Sequence, residues 1–164
     1  MTRARFSLAE IDPRIVELVR ATDHRTLGVW AADCAERVLP YFERAHPDDR
    51  RPREAIAGLR AWIRTGVFSM ADVRGASLAS HAAAREVGRD DAARSAARAA
   101  GQAVATAHVP THAIGAASYA LQAVYRASSA TSASAAVDRE RVWQRAHLVE
   151  LRDRSPGAAD RGRR

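Results

Sequence analysis

His108 and His112 stand four residues apart, the spacing at which two imidazoles on one helical turn can share a zinc ion. Pro110 lies between them, so the pair is expected to straddle a helix junction and need not share a face. The residue after His108 is valine, which excludes the zinc-protease motif that needs glutamate there. A third ligand would have to come from His81, Asp33 or Cys34. The competing reading is that these histidines hydrogen-bond the orphan backbone groups of a helix junction. Both readings stay open at the level of sequence. Cys34 has acidic neighbours, Asp33 and Glu36, which raise a thiol pKa, and it shares an apolar face with Trp30 and Val38. It is therefore read as a core thiol. No serine stands in a Gly-x-Ser-x-Gly elbow, and neither a phosphate-cradling glycine loop nor a distinctive carboxylate pair is present. Enzymatic activity is not expected, and no cofactor is implied. The candidate cleft or partner-binding residues are Asp33, His81, His108 and His112, joined by Trp143, whose ring could anchor a partner.

The elements that must position these groups are all helical. Asp12-Pro13 reads as an N-cap followed by a first-turn proline. Asp23 caps a second helix in which Leu27, Trp30, Ala31, Cys34, Ala35 and Val38 recur at helical spacing. Asp33 and Arg37 on it are spaced for an i,i+4 ion pair, and Pro40 should kink or end it. Pro52 opens a third helix that stops near Gly66. Ser69 and Asp72 resemble a capping box, and Asp90 or Asp91 caps a fifth helix with Arg94, Arg98 and Gln102 pointing outward. The segment from Ser128 to Ala136, rich in small residues, reads as a flexible loop. The last helix should be anchored by Val142, Trp143, Ala146 and Val149. The expected architecture is an all-α, single-domain bundle over residues 1–152, built from antiparallel hairpins. Its helices fall near 12–20, 24–44, 52–65, 70–87, 91–108, 111–127 and 137–151, with a disordered Arg-rich tail at 153–164.

Composition narrows the function classes. Between Ala76 and Ala136 about two residues in five are alanine, the best helix former and one that lets helices approach closely. The net charge of +7 is carried by arginine alone, since lysine is absent. Five of the arginines fall in Arg152–Arg164, and no basic stripe with aromatic platforms is visible, so nucleic-acid binding is not expected. A lone cysteine cannot form an internal disulfide and fits a reducing cytosol. The basic residues at the start have no apolar run behind them, and no stretch is apolar enough for a membrane span. A cytoplasmic location without membrane contact is expected.

The strings Asp23-His24-Arg25-Thr26-Leu27 and Trp30-Ala31-Ala32-Asp33-Cys34-Ala35-Glu36-Arg37-Val38-Leu39-Pro40 resemble the opening of the Imm-five-like bacterial immunity proteins. The stretch from Asp48 to Ile56, with Arg60-Ala61-Trp62, resembles that family's second element. Ser80 to Glu86, Ala99 to Val109 and Trp143-Gln144-Arg145 are similar to its middle and closing parts. The resemblance runs from about residue 23 to about residue 151, and the Arg-rich tail departs from it. It implies a compact helical protein that neutralises a cognate toxin by non-catalytic protein–protein binding. Two alternatives remain: a small helical metal- or ligand-binding protein using the histidine cluster, or a self-associating scaffold that forms a homo-oligomer.

Overall fold

The computed structural model describes residues 6–89 and 91–156, and among these it contains seven helices and no strand. They are α1 (Pro13–Arg20), α2 (His24–Ala45), α3 (Arg51–Thr65), α4 (Met70–Glu86), α5 (Ala92–Ala105), α6 (His112–Ala127) and α7 (Ala133–Arg154). Residues 1–5, Asp90 and residues 157–164, which hold one of the two expected caps and most of the expected tail, lie outside the described residues.

Helix starts follow local chemistry. Asp12, Asp23, Ser69 and Asp91 each accept a backbone N–H of the first turn, removing one of the donors a helix start leaves unpaired. Gly66 ends α3 with φ of 67°, the left-handed conformation that favours glycine. Pro40 lies inside α2, which covers the expected 24–44 and ends at Ala45; the proline is exposed, so its missing N–H falls on the solvent face. One expectation is corrected. The segment from Ser128 to Ala136 is only partly a loop, because α7 begins at Ala133, which is buried together with Val137.

Two helices organise the interior. α2 supplies bulk: Leu27, Trp30, Val38, Leu39 and Phe42 are all buried. α5 supplies closeness, burying Ala93, Ala96, Ala97, Ala99, Ala100 and Ala103 while packing on α2, α3, α4 and α6. Small side chains let a single helix touch four neighbours, because each can approach near backbone distance. The polar groups inside are satisfied. Ser80 donates to the Ala97 carbonyl at 2.7 Å, Ser95 to Gln122 at 2.9 Å, and the Trp30 indole to the Gln144 carbonyl at 2.9 Å. Contacts such as Ser77 with Gly101 and Ser80 with Ala97 show α4 and α5 running antiparallel. Those of Glu43 with Arg53 and Asp33 with Arg60 show the same for α2 and α3.

Candidate functional site

Four of the five candidate residues fall into two clusters on different helices, and His108 stands apart at the α5–α6 junction. The first joins α2, α3 and α7. Asp33 accepts one bond from Arg60 Nη2 at 2.6 Å and another from His147 Nε2 at 2.7 Å. Arg60 also donates to Glu36 at 2.5 Å, and Glu150 Oε2 stands 3.9 Å from His147 Nδ1. The Trp143 ring is stacked on His147, centroids 4.8 Å apart, and covered on another side by the Arg37 guanidinium at 3.8 Å. Arg37 in turn holds the buried Glu140 with two bonds of 2.9 Å, and this pairing raises its pKa against the opposing effect of burial. The i,i+4 pair expected between Asp33 and Arg37 is therefore not formed. Asp33 turns to α3 and α7, and Arg37 turns to α7, where each finds a better-enclosed partner.

Two further readings of this region are resolved. Cys34 is fully buried, and its thiol is pushed well up, first by burial and then by the charges of Glu140 and Asp33. Both effects disfavour the thiolate that a nucleophile would need. Val142, expected to anchor α7, is exposed, because the buried face of the helix is Val137, Glu140, Gln144 and Leu148.

The second cluster joins α4, α5 and α6. His81 reaches from α4 over Gly101 of α5, where a Cβ would stand 2.8 Å from its Nε2. His112 opens α6 and donates from Nδ1 to Gln102 Oε1 at 2.8 Å. Gln102 is thus not directed outward as its helical phase implied; it lies over Gly115, which has room for it only because it lacks a side chain. Burial lowers the His81 pKa, with Arg98, Arg85 and His112 adding to the effect. Burial also lowers that of His112, assisted by His108. His112, Gln102, Leu8, Ile11 and Tyr119 line an open cleft of about 380 Å³ between α6 and the chain before α1.

His108 and His112 do straddle the junction between α5 and α6, as the intervening proline implies. His108 is exposed and stacks against Phe68, centroids 6.0 Å apart. The histidine that bonds an orphan carbonyl at this junction is His24, whose Nε2 donates to Thr106 at 2.5 Å. Among the described residues no group of three or more His, Cys, Asp or Glu is arranged to hold a metal ion, so His81 and His112 have no third ligand there. Participants that escaped the sequence reading include His147, Arg60, Glu140 and Gln102. For His147 a local signal existed, since it lies four residues after Trp143 on one helix.

The fold and its two clusters define an all-helical protein whose polar side chains are held by one another at the surface of a closely packed core. The chain belongs to the Imm-5-like putative immunity protein family, whose family model covers residues 17–151. No curated protein and no solved structure matches it. No helix among the described residues is long and apolar enough to cross a membrane.

Proposed function

We propose that this protein neutralises a cognate bacterial toxin by binding it, without chemistry of its own. Membership of an immunity-protein family over residues 17–151 carries this reading. The geometry supports it: the polar groups of the first cluster, and His112 with Gln102 in the second, are already engaged with one another, which favours a pre-organised surface over a reaction site. In this reading Asp33, Trp143 and His81 shape the surface from beneath, because their polar or aromatic faces are occupied by neighbours. His108 and His112 front it, one exposed at the α5–α6 junction and the other lining the cleft.

The test is co-expression with the product of the adjacent reading frame. Cells are expected to survive, and the two proteins to co-purify in fixed stoichiometry. Continued killing with no complex on co-purification overturns the reading.

A further inference from the structure

Exposed apolar residues are not scattered evenly. Among the described residues, four of the six large ones lie within residues 67–78: Val67 is 74% exposed, Leu78 54%, Met70 45% and Phe68 43%. Val67 and Phe68 form the connection from α3 to α4, immediately after the left-handed turn at Gly66. Phe68 is held in place by its stack on His108, so the α3–α4 and α5–α6 connections meet at one end of the bundle. The helix behind this patch has little cover. Residues 70–79 of α4 include no buried position, and α4 packs chiefly on α3 and α5. A cluster of this kind, fixed by packing and left in solvent, is the usual mark of an interaction surface.

Its rim indicates what covers it. Arg64 lies in the last turn of α3, Arg74 in the second turn of α4, and Arg25 reaches across to donate to the Arg64 carbonyl at 3.3 Å. Among the described residues none of these three guanidinium groups is in an ion pair, whereas Arg53 and Arg60, earlier in α3, are paired with Glu43, Asp33 and Glu36. Asp72 is the acidic residue of the stretch, and it sits in the first turn of α4, where the helix N-terminus favours it. An apolar centre rimmed by unpaired arginines complements an acidic surface with an apolar projection. A second copy of this chain fits poorly, since it would set one arginine rim against another in molecules that each carry +7.

We propose that Val67, Phe68 and Met70 form the apolar centre of the toxin-docking surface, and that Arg25, Arg64 and Arg74 receive an acidic face of the toxin around it. This rests on the toxin-binding reading above.

The experiment measures binding kinetics of the purified full chain against a catalytically inactivated product of the adjacent reading frame, at several salt concentrations. The Val67→Ser/Phe68→Ser variant is expected to dissociate at least about 30-fold faster, the loss typical of central anchors. The Arg25→Ala/Arg64→Ala/Arg74→Ala variant is expected to associate more slowly and to lose most of the salt dependence. Val142→Ser, at an exposed position of α7, is the control and should bind as wild type. Helical content by circular dichroism should match wild type for all variants, because none of the substituted side chains is buried. Unchanged kinetics in both patch variants while the wild type binds overturns the docking surface and leaves toxin binding standing. Absence of wild-type binding overturns both. A dimer of the free chain that Phe68→Ser dissolves, or binding to phosphatidylglycerol vesicles that the arginine variant abolishes, would reassign the patch and also overturn the proposal.

Discussion

Arg37 on α2 closes over Glu140 on α7 with two bonds of 2.9 Å, and the same guanidinium covers the Trp143 ring at 3.8 Å. One side chain therefore neutralises a buried carboxylate and packs an aromatic ring. Removing it should do more than delete a surface ion pair, because Glu140 would remain enclosed without its counter-charge. Arg37→Ala is expected to cost about 2 kcal/mol in urea denaturation, since a buried charged group is left unsatisfied. Adding Glu140→Gln should restore part of that loss. A double variant weaker than the single by the full cost of Glu140→Gln alone would show the pair to be uncoupled.

Gly101 and His81 make a second coupled pair. A Cβ at Gly101 meets the His81 ring at 2.8 Å, closer than packed carbon atoms tolerate. Gly101→Ala is expected to destabilise by roughly 1–2 kcal/mol through overpacking. In a His81→Ala background the same change should stabilise by up to about 1 kcal/mol, the helix propensity of alanine over glycine. Chemical denaturation of the four-member cycle measures this sign reversal, and additive effects would refute the contact.

Acid stability follows from the same histidine. The folded pKa of His81 lies below its ordinary value because of burial and of Arg98, Arg85 and His112, while His112 is lowered by burial and His108. Below the ordinary histidine value of about 6.5 the unfolded chain therefore takes up protons that the folded chain resists. Their contribution to stability is complete above that value and is lost as pH falls through the folded values. Stability should drop as pH falls below about 6.5, and the slope should flatten in a His81→Asn/His112→Asn variant. An equally steep profile in that variant would place the acid sensitivity elsewhere.

What was legible in the sequence was what is decided within a few residues. Asp12, Asp23, Ser69 and Asp91 cap their helices because each carboxylate or hydroxyl needs only the N–H groups two or three residues on. Cys34 could be placed in the core because its helical phase matches Trp30 and Val38. The clusters were not legible, since their partners come from distant helices. Asp33 has an arginine at the right local spacing, yet α3 brings Arg60 and α7 brings His147. The face of α7 was misread for a related reason. Glu140 and Gln144 occupy its buried stripe, so the apolar pattern pointed to Val142 and missed the true phase. Ala133 joins α7 because its methyl group finds a buried place, which a count of Ser and Thr residues cannot foresee.

The sparse cover of α4 bears on the order in which the molecule opens. α4 buries only Ser80, Ala83 and Ala84, whereas α5 beside it buries nine of its residues. A helix with so few enclosed contacts can detach while the rest of the bundle remains folded, so its amide protons should exchange with solvent ahead of those in α2 and α5. Such partial opening would uncover the alanine stripe of α5, a flat and adhesive surface, in an otherwise native molecule. A partner seated on the start of α4 would suppress that opening, acting as a clasp on the least cooperative segment of the chain.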